Sequence, residues 1–223
     1  MMASKKIRRH KIRRHEIRWK SLAALGLGLL AFGLSGCEGL IPTLAGPPPN
    51  LYTLTPKNTF ADRLPSVPWQ LVVEEPLASG GLNVARIALR ATATELKYFA
   101  RARWTERAPR MVQTLLVESF ENSGAIIAVG RKAIGLRSDY NLITELREFQ
   151  AEYFTPDGVP TIRVRLNAKL VKQPRRAIVA SRTFEAAVKS EGKDIRLIIG
   201  AFDQALGKVL RHTVEWTVKR PGG

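Results

Sequence analysis

Ile162-Arg163-Val164-Arg165-Leu166-Asn167-Ala168-Lys169-Leu170 alternates apolar and polar residues at every step. Side chains leave a strand on alternate faces, so Ile162, Val164, Leu166, Ala168 and Leu170 share one side, and Arg163, Arg165, Asn167 and Lys169 share the other. Pro160 to Val171 therefore reads as a strand with one wet face. Before it, Tyr140 to Phe154 alternates as Leu142, Thr144, Leu146 and then as Phe149, Ala151, Tyr153. That change of phase predicts a β-bulge between Leu146 and Phe149. After it, Ile178, Ala180, Phe184, Ala186 and Val188 mark one face of a third strand. The turns Thr155-Pro156-Asp157-Gly158 and Gln173-Pro174-Arg175 are short enough to make the three strands antiparallel neighbours.

Two amphipathic helices accompany them. One starts at Pro109, whose missing N–H costs nothing at the first helical position, and carries Val112, Leu115, Leu116, Ser119 and Phe120 as a stripe. Asn122-Ser123-Gly124 ends it, with Gly124 in the left-handed C-terminal position. The other starts near an N-cap at Asp194 and aligns Ile195, Ile198, Ile199, Phe202, Leu206, Val209, Leu210 and Trp216, with Lys219 and Arg220 at the negative end of its dipole. Shorter strands are expected at Trp69 to Val73, Arg86 to Arg90, Glu95 to Trp104 and Ile126 to Val129. Leu51 to Leu54 is an edge strand or a docking point, and Pro56 to Pro68 is a loop. Ser79-Gly80-Gly81-Leu82 is a turn, since no Lys-Ser/Thr follows to make a phosphate loop. The expected fold class is α/β: a three-layer domain with a mixed, largely antiparallel sheet and two main amphipathic helices.

Upstream, Leu22 to Leu34 is an uncharged run of 13 residues. It fits a signal-peptide core of ~7–15 residues and falls short of the ~20 needed to span a bilayer. It ends in Leu34-Ser35-Gly36-Cys37, which resembles the lipobox of bacterial lipoproteins. Small residues at Ser35 and Gly36 open the backbone to a signal peptidase, and Cys37 is the expected site of lipidation by a diacylglycerol bearing palmitate-type chains. Several acyl chains, at ~0.8 kcal/mol per buried CH₂, anchor far more firmly than a single myristoyl chain. The expected organisation is a signal peptide over residues 1–36, a lipidated Pro-rich tether over 37–50 and a periplasmic body over 51–223. Pro47-Pro48-Pro49 stiffens the tether into an extended spacer.

The net charge of +17 is unevenly spread. Residues 1–36 hold nine Lys/Arg against Glu16 alone, leaving 27 Lys/Arg against 18 Asp/Glu in the mature chain. That remainder favours anionic headgroups or an acidic partner through the summed field, and does not indicate nucleic acid. Beyond Cys37 there is no cysteine, so the body has no intrachain disulfide and depends on packing. Glu38 stands where an Asp would signal retention in the inner membrane of enterobacteria, which leans the protein towards the outer membrane, facing the periplasm; the inner membrane stays open.

An enzymatic reading finds little to build on. After processing, the single histidine is His212, no Gly-x-Ser-x-Gly frames a serine, and Glu145, Glu148 and Glu152 have no His or Cys to join them in a metal set. No cofactor or metal is expected. The candidate contact residues for a partner or headgroup are Arg101, Arg103, Trp104, Arg131 and Arg137.

Leu51-Tyr52-Thr53-Leu54, then Tyr98 to Trp104 with Ala108 to Gln113, then Gly135 to Tyr140 leading to Glu145 to Phe149, and finally Ala201-Phe202-Asp203 stand in an order that resembles the ABC-type transport auxiliary lipoproteins. These are the lipoprotein partners of mammalian-cell-entry (MCE) intermembrane lipid transport systems. The resemblance implies a three-layer α/β domain and a non-catalytic periplasmic role beside an MCE-domain protein, with the ATPase and permease on other chains. A structural or assembly lipoprotein of the outer membrane, unrelated to lipid traffic, is the second reading of the same tether and body.

Overall fold

Alternation of apolar and polar residues becomes three long antiparallel strands in the computed structural model, which describes residues 47–60, 63–131 and 137–220. In chain order the elements are β1 (Asn50–Tyr52), β2 (Val67–Val73), β3 (Leu77–Ala78), β4 (Arg86–Arg90), β5 (Leu96–Trp104), α1 (Ala108–Ser123), β6 (Ile126–Arg131), β7 (Tyr140–Glu152), β8 (Thr161–Lys172), β9 (Ala177–Lys189) and α2 (Ile195–Lys219). They belong to one compact unit, Pro47–Gly223. Leu34, Ser35, Gly36, Cys37 and the tether up to Gly46 lie outside the described residues, as do Gly135 and Leu136.

β7 is the spine of the nine-stranded mixed sheet. One edge runs antiparallel to β8, which in turn pairs antiparallel with β9. The other edge is shared by three short strands in succession, all parallel to it: β2 at Tyr140–Leu142, β3 at Glu145 and Leu146, and β4 at Gln150–Glu152. β6 then extends the sheet beyond β2, and β5 and β1 extend it beyond β4. The expected bulge is present, with the β7–β8 register shifting between Leu146 and Glu148. Its freed amide is satisfied, since Phe149 N donates to Gln150 Oε1 at 2.8 Å.

The face carrying Leu142, Leu146, Phe149, Ile162, Val164, Leu166 and Leu170 is sealed by the helices. α1 packs on β2 and β6, α2 packs on β8 and β9, and the helices touch each other. Trp104, Phe149 and Phe202 meet at the centre with ring centroids 5.2–5.4 Å apart. Phe184 and Trp216 make a second edge contact at 5.6 Å. On the opposite face, charged pairs run between strands: Arg163 bridges Glu152 at 3.1 Å and Glu185 at 2.7 Å, and Arg165 meets Glu148 at 2.9 Å. The Glu152 hydrogen bond is the main reason the Arg163 guanidinium holds its proton even more firmly than usual.

The helix ends follow local chemistry. Asp194 caps α2 by accepting from Arg196 N at 2.8 Å, an arrangement worth ~1 kcal/mol. Gly124 closes α1 at φ 60°, where its N–H donates to Glu121 O. α1 begins at Ala108, so Pro109 falls within the first turn.

Two details differ from the expectation. The loop expected to reach Pro68 ends earlier, because β2 begins at Val67; Pro68 lies where the β2–β6 register is irregular, a position at which a strand tolerates a residue without an N–H. Ile178 does not share the inner face with Ala180 and Phe184. The β8–β9 register shifts between Leu170 and Val171, pairing Ile178 with Val171 and leaving it 59% exposed.

Candidate functional site

The segment entering the body is held to both helices. Asn50–Tyr52 pairs in parallel with Ala102–Trp104, and Leu54 is buried. Thr55 then donates to Asp203 on α2 from its N (2.7 Å) and from Oγ1 (2.9 Å and 2.8 Å to the two carboxylate oxygens). Lys57 N donates to Ser119 Oγ at 2.9 Å, and Asn122 Nδ2 returns a bond to Lys57 O at 3.3 Å. Residues 50–57 thus form a strap across one end of α1 and α2, beginning 13 residues after Cys37.

Beside the entry point lies a groove of about 480 Å³ lined by Pro47, Pro48, Phe99, Ala100, Arg101 and Ile195. Its floor is mostly apolar and Arg101 supplies a charge. At the adjoining start of α2, the Arg196 hydrogen bond is the main cause that holds the Asp194 carboxyl below its ordinary range.

Arg101 and Arg103 are exposed, and among the described residues neither forms an ion pair. Trp104 corrects the expectation of a contact residue. It is 1% exposed, wedged between Phe149 and Phe202, so its indole belongs to the core and offers no surface to a partner. Arg131 is exposed at the end of β6, where its Nη2 donates to Thr114 Oγ1 at 2.8 Å. Arg137 is exposed before β7. The structure does not bring these two beside Arg101 and Arg103: β4, β7 and β2 separate β5 from β6 along the sheet.

Sequence reasoning missed the exposed apolar residues on the strand edges, Leu51, Ile127, Ile178 and Val179. It also missed that Phe99 and Ile195 share a groove with the prolines. The alternation of Arg101 and Arg103 with Ala102 and Trp104 is the signal that could have placed Trp104 inward; the groove, formed by residues distant in sequence, had no such signal.

Among the described residues no group of three or more His, Cys, Asp or Glu side chains is placed to hold a metal ion, and no helix is long and apolar enough to cross a membrane. The contact surfaces alone do not name a function. A family model for the ABC-type transport auxiliary lipoprotein component matches residues 52–214, from the strap to near the end of α2. The chain belongs to this family. A crystal structure of a Xanthomonas campestris protein is 37% identical with a TM-score of 0.71, covering 76% of this chain and 94% of that one. A second crystal structure, of an uncharacterized protein, is 13% identical with a TM-score of 0.62 over 77% of this chain and 99% of its own; it supports the fold alone. An uncharacterized protein of Bradyrhizobium diazoefficiens is 30% identical over 148 residues, 66% of this chain, which spans 39% of that relative's length. The ABC transport auxiliary lipoproteins are components of transport assemblies and not a known enzyme family.

Proposed function

We propose that this protein is the membrane-anchored, periplasmic, non-catalytic auxiliary of an MCE-linked ABC system moving lipid between the inner and outer membranes. The observation that carries the reading is the family match over residues 52–214, directly behind a lipobox-like cysteine and a proline run. Residues 1–36 are removed, Cys37 carries the acyl chains, residues 37–50 are the tether and residues 51–223 form the periplasmic body. At ~3.3–3.6 Å per residue, the stretch from Cys37 to Pro47 reaches at most about 35 Å, so the end of the body bearing Pro47 and Arg101 stays close to the bilayer. Arg101 and Arg103 lie there to meet headgroups or an acidic surface of the MCE-domain partner. The outer membrane is the proposed anchor site, from Glu38 after the cysteine.

Affinity purification from native membranes through a C-terminal tag tests this. The expected co-purifying proteins are an MCE-domain protein, a permease and an ATPase. Arg101→Glu with Arg103→Glu weakens that capture while leaving the melting temperature unchanged, because exposed charges away from networks contribute little to stability. Recovery of only peptidoglycan-binding or barrel-assembly proteins would instead favour a structural lipoprotein.

A further inference from the structure

Between the strap and α2 runs a second groove, of about 650 Å³, distinct in lining from the one beside Pro47. Its charged lining is Lys57, Lys208 and Arg211 against the single carboxylate of Asp203. Asp203 is already engaged, since both its oxygens accept from Thr55. Among the described residues none of the three cations has a carboxylate partner. Lys57 is half-buried, and Arg211 Nε is buried without any acceptor. Among the described residues, the one polar side-chain contact of Arg211 is between Nη2 and the His212 ring Nε2, at 3.3 Å. Polar groups removed from water normally have partners, and a cationic donor without one is costly.

Gly207 points the same way. Glycine is among the poorest residues for a helix interior, and packing does not demand it here: an added Cβ would meet only Lys57 Cδ, at an ordinary 3.9 Å. The glycine leaves the floor of the groove open beneath the lysine. Room, three unneutralised donors and an arginine fork suited to tetrahedral oxyanions coincide.

We infer that the groove between the strap and α2 is an anion site for a phosphate group, held by Lys57, Lys208 and Arg211 over Gly207. The phosphate belongs to a lipid headgroup or to a soluble phosphate compound. The site stands on the groove's own charge and survives failure of the transport reading.

The test uses the body from Pro47 onward, which contains the whole core from Leu54 to Val218 and brings no acyl anchor. Inorganic phosphate and glycerol phosphate are titrated while backbone amide resonances are followed. Vesicles of phosphatidylcholine with phosphatidylglycerol, and of phosphatidylcholine alone, are then tested by flotation. Saturable shifts centred on Lys57, Gly207, Lys208 and Arg211 are expected. Lys208→Gln and Arg211→Gln should each weaken binding about tenfold, the scale of one charged hydrogen bond. Gly207→Asp should abolish binding with folding retained, as judged by thermal unfolding, and Lys169→Gln, at an exposed position of β8 outside the groove, should leave phosphate binding unchanged. Vesicle binding lost in Gly207→Asp assigns the site to headgroups; phosphate binding without vesicle binding assigns it to soluble phosphates. Absence of saturable shifts, or shifts unaffected by Gly207→Asp and Arg211→Gln, would overturn the inference.

Discussion

Replacing Trp104 by alanine separates a core role from a contact role more sharply than any other single change. The side chain is 1% exposed and touches Phe149 and Phe202 with centroids 5.4 Å and 5.2 Å away. A buried aromatic removes about 150–250 Å² from water, worth about 4–6 kcal/mol at ~25 cal/mol per Å². Alanine keeps the Cβ and the surroundings relax in part, while one tilted and one edge-on aromatic contact disappear, so the expected loss is about 3–5 kcal/mol. For a body of this size that lowers the melting temperature by about 6–20 °C. Urea unfolding followed by circular dichroism gives the free energy, and a thermal scan gives the shift. A loss under about 1 kcal/mol, with capture of partners reduced, would refute the placement of Trp104 in the core.

Other expectations follow from single contacts. Asp203→Ala removes the acceptor for Thr55 N and Oγ1; hydrogen–deuterium exchange should rise across residues 50–57, with a modest stability loss of ~1 kcal/mol because the bonds are exposed. Unchanged exchange there would show that the β1–β5 pairing, the burial of Leu54 and the Lys57 bonds hold the strap without Asp203. Gly124→Ala should cost ~1–2 kcal/mol: a Cβ at Gly124 meets nothing within 4 Å, so the penalty is purely that of φ 60°. A smaller loss in denaturant would mean that the α1 terminus readjusts. Asp157 is held well below the usual carboxylate range by hydrogen bonds, from Lys189 first and Thr155 second. Because the folded-state pKa is the lower one, its contribution is present above the unfolded value of ~3.9 and is lost as pH falls through the folded value. A carboxyl NMR titration should show the low midpoint, and Lys189→Met should raise it; an ordinary midpoint in the native chain would contradict the turn geometry.

Much of this architecture is local and therefore legible in the sequence. Period-two alternation marks β7, β8 and β9 because each strand has one face on a core, and the slip from Leu146 to Phe149 announces the bulge because one extra residue inverts every later side chain. Asp194 and Gly124 reveal helix ends because capping involves only neighbouring residues. The sharing of one β7 edge among β2, β3 and β4 leaves no comparable trace, since each is parallel to β7 and joined to it by distant chain. Thr55 and Asp203 lie 148 residues apart, and nothing local couples them. The buried Gln113, whose Nε2 donates to Val73 O at 3.0 Å, belongs to the same class: a polar residue on the core side of α1 made sense only once β2 lay beneath it. The groove over Gly207 was hidden likewise, because strap and helix come from opposite ends of the body.

The proposed anchoring of a folded periplasmic body through an acylated Cys37 underlies its whole membrane role. Intact mass spectrometry of the protein purified from its own membranes tests this most directly. The expected product is a chain beginning at Cys37 with a diacylglyceryl thioether on its sulfur. A chain that retains residues 1–36, or one that starts at an unmodified terminus and is recovered from the cytoplasm, would contradict it.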